Sequence, residues 1–147
     1  MAYASNRSAQ LAEGTGSHDL ALLLLRVGLG LLILAHGVAK IGSGPGFVLD
    51  LVAKAGLPAA FGYLVYVGEV VAPILLIVGL WTRVAALVVA INMVVAILLV
   101  HTTQLFTLAK TGGYALELQF IYLFVAIAVA LLGAGRYSVG GIRGRWN

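Results

Sequence analysis

The sequence predicts an all-α membrane protein: a four-transmembrane-helix bundle with a short amphipathic surface helix between helices 1 and 2. Three observations predict it. Hydrophobic residues make up 62% of the 147 positions and charged residues 10%, against about 45–50% and about 25% in an average soluble domain. The apolar residues gather in four long runs, each nearly free of charge. Those runs are continuously apolar, without the alternation of a transmembrane β-strand, and backbone groups in lipid must be satisfied within the segment, which a helix does. The chain has no cysteine. That excludes a disulfide framework, thiol redox chemistry, iron–sulfur ligation and a Cys-based zinc site. The net charge of +4 bears on orientation and anionic lipid rather than on nucleic acid.

In chain order, residues 1–19 are small and polar and read as a flexible tail. Residues 20–133 form the transmembrane domain. Its first span is Leu20–Ile41, with only Arg26, His36 and Lys40 as potential charges. A Gly/Pro break then leads into residues 46–56. There Phe47, Val48, Leu51, Val52 and Ala55 share one face, with Asp50 and Lys54 an i,i+4 pair on the other. That pattern predicts a helix lying on the membrane surface. The second span is Ala60–Leu80, with Glu69 as its only charge. The third, Val84–Val100, is uncharged and lies between Arg83 and His101. The fourth, Tyr114–Gly133, carries only Glu117. Each is near the ~20 residues that a bilayer requires. Residues 134–147 read as a Gly/Arg-rich tail, disordered or adsorbed on headgroups. Four spans put both termini and the 80–83 turn on one side, with Arg7, Arg83, Arg136, Arg143 and Arg145, and Arg26 near the entry of helix 1. Lys40, Lys54 and Lys110 lie on the other. The positive-inside rule then predicts cytoplasmic termini.

Polar groups inside a span cost about 2.5–3.5 kcal/mol when charged and central, so each needs a partner or a purpose. At ~1.5 Å per residue, His36, Glu69, His101 and Glu117 all fall in the outer half, one from each helix. Arg26 lies deeper, with Glu69 as the carboxylate its side chain can climb toward. The functional reading is a polar pocket open to the outer face. The bland readings are specific to each residue. Arg26 can snorkel to headgroups, His101 can be an interface residue, and Glu117 can sit at a helix start where the macrodipole favours it. Glu69 is too deep to snorkel. Asn92 and Gln119 read as interhelical hydrogen-bond partners rather than ligands. Gly30 and Gly37 allow close helix approach, and Pro73 cannot donate to the Glu69 carbonyl, which predicts a bend there.

The segments LLLRVGLGLLILAHGVAKI, GEVVAPILLIVGLWTRVAAL and GGYALELQFIYLFVAIAVALLG together resemble the DoxX family of small bacterial membrane proteins. The resemblance covers residues 20–140 and rests on Arg26, Gly30, His36, Gly37, Lys40, Glu69, Arg83 and the Gly113-Tyr114…Glu117 start of the fourth run. It implies a four-helix bundle in the inner membrane and an association with redox enzymes, in the manner of a subunit resembling that of a thiosulfate:quinone oxidoreductase.

The expected function is therefore an integral membrane subunit of an oxidoreductase assembly that offers a quinone or another lipophilic redox ligand a site in the outer half of the bundle. Glu69 and His36 are the expected catalytic residues, with Arg26, His36, Glu69, Glu117 and His101 binding the ligand. His36 would donate to a carbonyl, Glu69 relay a proton and Arg26 fix the Glu69 charge. No metal site is expected. The expected partners are the lipid bilayer and a protein of a redox membrane complex, with a homo-oligomer also open and nucleic acid not among them. The alternatives are a non-enzymatic anchor for a soluble redox partner and, more weakly, metal binding or transport of a small solute. Two His and two Glu suit a metal by type, but they have no ligand spacing, and transport lacks a visible inverted repeat.

Overall fold

The computed structural model describes residues 2–110, 112–141, 144, 146 and 147, with side chains from Gly16 onward. Among these residues the chain is helical, apart from turns and one isolated bridge between Leu108 and Tyr114. The helices are α1 (Ala2–Ser43), α2 (Gly46–Lys54), α3 (Ala59–Val78), α4 (Thr82–Val100) and α5 (Glu117–Leu132). Three of these segments are long and apolar enough to cross a membrane: Gly16–Ser43, Ala59–Val78 and Thr82–Val100. α5 is equally apolar but shorter. It starts at Glu117 rather than at Tyr114, because the preceding loop claims that backbone. Ala109 N–H donates to the Gly113 carbonyl at 2.8 Å and Ala115 N–H to the Thr107 carbonyl at 3.1 Å.

The core lies where α1, α3, α4 and α5 meet. Leu29 and Ile33 of α1, Leu76 of α3 and Tyr122 and Val129 of α5 close around a seam on α4. That seam is Ala85, Ala86, Val89, Ala90 and Met93, at the spacing of one helix face. Small side chains let helix backbones approach closely, which is how helices associate where lipid offers no hydrophobic contrast. The opposite faces expose Leu24, Leu31, Leu87, Ile91, Phe124 and Leu131.

α3 is not uniform. It opens with a 3-10 turn at Ala59–Tyr63 after Pro58, passes through one α-turn, and widens to a π-helical turn at Val67–Val71. Ala72 N–H donates to the Val67 carbonyl, five residues back. Pro73 comes next and has no N–H to bond the Glu69 carbonyl. The bend expected at Pro73 thus takes the form of a local widening that re-aims the residues it contains.

Two glycines of α1 seat it on this part of α3. A Cβ at Gly30 would lie 2.8 Å from Ile77 Cγ1 and 3.0 Å from the Pro73 carbonyl oxygen. A Cβ at Gly37 would overlap the Glu69 carbonyl oxygen and lie 2.8 Å from Val70 Cγ2. α2 packs on the first turn of α3, with Leu49 over Gly62 and Val52 buried. The helix expected over 46–56 stops at Lys54, as Gly56 adopts φ 80.

The two tails differ from expectation. Helical backbone runs back to Ala2. Asp19, placed in a flexible tail by its polarity, is instead 8% exposed, accepts the Arg136 N–H at 3.0 Å and pairs with Arg136 Nε at 3.4 Å. The described residues of 134–147 pack over the α3–α4 turn rather than lying loose. Asn147 Oδ1 accepts from the Thr82 hydroxyl at 2.8 Å and the Thr82 N–H at 3.2 Å. Arg83 Nε donates to the Asn147 carbonyl at 3.0 Å, and Gly140 N–H donates to the Gly79 carbonyl at 2.9 Å. Low side-chain content hid this, since backbone groups make most of the bonds. Ile142, Arg143 and Arg145 lie outside the described residues, as do the side chains of the tail through Thr15, Arg7 included.

The glycine contacts yield a paired test. Gly37→Ala forces α1 off the π-turn and should cost about 1–3 kcal/mol, the usual penalty of overpacking. Gly28→Ala, on the same helix with nothing within 4 Å of the added carbon, should stabilise by about 0.5–1 kcal/mol through helix propensity. Thermal unfolding of both variants in detergent checks the contrast. Equal behaviour would show that the α1–α3 approach is not this close.

Candidate functional site

The widened turn of α3 presents Glu69 to the interior, where it is 5% exposed. The cation that meets it is Lys40. Its Nζ lies 2.7 Å from Glu69 Oε1 and 2.5 Å from Oε2. Asn92 of α4 adds a longer contact, Nδ2 to Oε1 at 3.5 Å. Gly68 allows that approach, since a Cβ there would lie 2.5 Å from Asn92 Cγ. The far side of Lys40 is held by its own backbone, whose carbonyl accepts the Tyr66 hydroxyl at 3.3 Å. The carboxylate is thus clamped between α1 and α4 by a bidentate charge-assisted contact and an amide.

Beside this pair lies a cavity of about 120 Å³. Its polar lining is His36, Lys40, Glu69, His101 and Gln119, and its apolar lining includes Ile33, Met93 and Tyr122. The His36 ring meets the Tyr122 ring edge to face at 6.1 Å, and its nitrogens have no hydrogen-bond partner among the described residues. His101 ends α4. Its Nδ1 lies 3.0 Å from Gln104 Oε1 and its Nε2 lies 3.3 Å from Gln119 Nε2. Exposed His36 on α1 and exposed Leu118 on α5 both border the cavity, so it opens sideways between those two helices.

The structure therefore brings His36, Glu69 and His101 to one cavity and leaves Arg26 and Glu117 out of it. The expected Arg26–Glu69 pairing does not form. Arg26 is 1% exposed and points toward the α3–α4 turn. Its Nη1 donates to the carbonyls of Leu76 at 2.6 Å and Ile77 at 2.7 Å, its Nε to Ala134 at 3.3 Å and its Nη2 to Tyr137. The last carbonyls of a helix lack intrahelical donors and sit at the negative end of its dipole. A guanidinium with five donors and no acceptor satisfies them better than a carboxylate would satisfy it. Glu117 is the first residue of α5, exposed, with its carboxylate folded over Gly113, where a Cβ would come within 2.9 Å of Oε2. That is the helix-start role. Among the described residues no group of three His, Asp or Glu side chains is placed to hold a metal ion.

Lys40 is the residue that sequence reasoning missed as a member of the site. The signal was present: Lys40 follows His36 by one helical turn, so the two share a face, and Gly37 between them marks where α3 comes closest. Counting Lys40 as an interfacial cation concealed it.

Comparison with known proteins gives two matches. Residues 21–102 match the DoxX family. The chain is 29% identical over 118 residues, covering 80% of this chain and 83% of the relative, to the Bacillus subtilis (strain 168) protein named "Putative oxidoreductase CatD". No solved structure matches.

The geometry sets up a double-mutant cycle. Lys40→Met leaves a buried carboxylate unpaired and should destabilise by roughly 2–4 kcal/mol, at the lower part of the range for broken buried pairs because Lys40 is partly exposed. Adding Glu69→Gln should recover most of that loss. Arg26→Ala should also destabilise, but additively with Glu69→Gln. Melting temperatures of the single and double variants read this out. Coupling of Arg26, and not Lys40, to Glu69 would contradict the geometry.

Proposed function

This chain belongs to the DoxX family, and from that premise we propose that it is an integral membrane subunit of an oxidoreductase assembly whose cavity takes a quinone or a similar lipophilic redox ligand. The observation that carries the reading is the pairing of half-buried Lys40 with buried Glu69 at the wall of a cavity that also holds two histidines and opens between α1 and α5. A pair inside an apolar bundle supplies both a hydrogen-bond donor and a proton acceptor where lipid supplies neither. A sideways opening suits a ligand that arrives through the bilayer. The name of the Bacillus subtilis relative supports the redox class.

The residues present fit such a ligand. His36 has ring nitrogens with no protein partner, and Lys40 keeps a third N–H beyond the two aimed at Glu69. Either can donate to a quinone carbonyl. Glu69 can take and return a proton through Lys40. A bound quinone would supply two-electron redox chemistry, while electrons come from or go to the partner enzyme. In this reading α5 completes a fourth span, short enough that the bilayer thins around it. α2 lies on the outer surface, the α3–α4 turn faces the cytoplasm of a bacterial cell, and the membrane is the inner one. Arg83 and Arg136, both at the turn end, support that orientation.

One observation favours a second reading. Glu69 is already well partnered within the chain, so the pair could serve only to lock α1 to α3, with the protein an anchor for a soluble redox enzyme.

Two experiments test these readings. Glu69→Gln should preserve folding and the membrane complex while abolishing its redox activity or ligand binding, and full activity would leave the anchor as the better reading. Cysteines introduced at Lys110 and Val139, in a chain with none of its own, should label differently. An impermeant thiol reagent on intact spheroplasts should reach the first and not the second, and the reverse pattern overturns the orientation.

A further inference from the structure

The cavity contains one polar atom that nothing in the chain satisfies. Gln119 Oε1 is buried and has no hydrogen-bond partner, the one such side-chain atom among the described residues. With the amides as placed, Gln104 Oε1 faces His101 Nδ1 at 3.0 Å, and a proton on Nδ1 satisfies both. A neutral imidazole then offers a lone pair at Nε2. The group facing Nε2 is the Gln119 amide nitrogen at 3.3 Å, which donates to it. With the nitrogen so engaged, the amide oxygen is left over. Gln104, His101 and Gln119 thus form one chain of contacts, and it leaves an unpaired acceptor on a half-buried residue that lines the cavity.

A buried acceptor without a donor is costly, and elsewhere this chain avoids the cost carefully, as the four carbonyls gathered around Arg26 show. A donor brought by the cavity's occupant removes it. The other polar groups of the wall are complementary: Lys40 and His36 donate. Ile33, Met93 and Tyr122 surround them with apolar and aromatic surface. A ligand that matches is apolar and flat, with a hydroxyl to give.

We infer that Gln119 is the residue that reads the ligand, accepting a hydrogen bond from an aromatic hydroxyl, and that His101 is the positioning residue that turns its amide for the purpose. The ligand class is a phenol or the hydroquinone form of a lipophilic quinone. This rests on the cavity reading proposed above and deepens it. Gln119 distinguishes the reduced, hydroxyl-bearing form from the oxidised one, because a quinone carbonyl brings no donor to Oε1. A site built to hydrogen-bond a hydroxyl discriminates against analogues that lack it.

The test compares para-ethylphenol with para-ethylanisole, its methyl ether, which keeps the ring and loses the donor. Binding is measured by equilibrium dialysis against protein in lipid nanodiscs, with empty nanodiscs subtracting lipid partition. The expected result is about tenfold tighter binding of the phenol than of the ether, with that ratio falling to about one in both Gln119→Leu and Gln119→Met. Equal binding of the two probes by the unaltered protein overturns the inference and leaves the cavity reading standing. Discrimination that persists in Gln119→Met also overturns it, placing the acceptor elsewhere. Binding of neither probe overturns the inference and the cavity reading together. The comparison on the unaltered protein needs no variant to fold.

Discussion

Burying a carboxylate among apolar helices is the constraint on which the rest of the site depends. Glu69 cannot reach water from its position, so a cation must come to it, and Lys40 does so from the neighbouring helix. The two backbones nearly touch beside this pair. Gly37 and Gly30 allow that, because a Cβ at either would strike α3. The π-turn at Val67–Val71 supplies the other half of the fit by placing Glu69 inward and leaving room for Gly37 against its carbonyl. Asn92 then approaches over Gly68 from α4. Gly37, Gly68 and Asn92 thus all gather around one ion pair.

The opposite end of the molecule solves a different problem with the same kind of group. α3 and α5 both end there, each leaving carbonyls without donors. Arg26 gathers those of Leu76 and Ile77, and Arg83 donates to Ala130 at 3.3 Å and Leu131 at 2.9 Å. Each arginine also holds the C-terminal segment, Arg26 through Ala134 and Tyr137 and Arg83 through Asn147. Gly79 makes the fit possible: it adopts φ 76, and a Cβ on it would lie 2.9 Å from the Arg26 guanidinium carbon. Part of the arginine excess at this end is therefore architectural. Arg26 is buried as a helix cap, whereas Arg83 caps α5 from an exposed position, so the argument from charge to orientation rests on Arg83, Arg136 and the residues near the termini.

What was legible in the sequence was whatever depends on one-dimensional pattern. The first three spans, the small helix after Pro45, the close approach at Gly30 and Gly37 and the disturbance at Pro73 could all be read from composition and spacing. Glu69 stood out because its burial cost is intrinsic. The choice of its partner was harder to read, because Arg26 and Lys40 lie on the same helix at depths that both allow contact. Only the direction of each side chain decides between them. The carbonyl cage that captures Arg26 is made by backbone groups from two distant segments, which no side-chain pattern advertises. The C-terminal segment was misread for the same reason: its glycines look like a loose tail, yet their carbonyls and N–H groups form the cap. Lys40 could have been found by noticing that it shares a face with His36 and Gly37.

The charge state of Glu69 in a bilayer tests the central claim most directly. Infrared difference spectroscopy between the reconstituted protein and its Glu69→Gln variant isolates that one side chain. An ion pair with Lys40 predicts that the substitution removes an ionised-carboxylate stretch, and that a protonated-carboxyl stretch appears in its place when Lys40→Met is the variant compared. Loss of a protonated-carboxyl stretch on Glu69→Gln would mean that Glu69 is neutral in the native protein, and that the pair does not organise the fold around it.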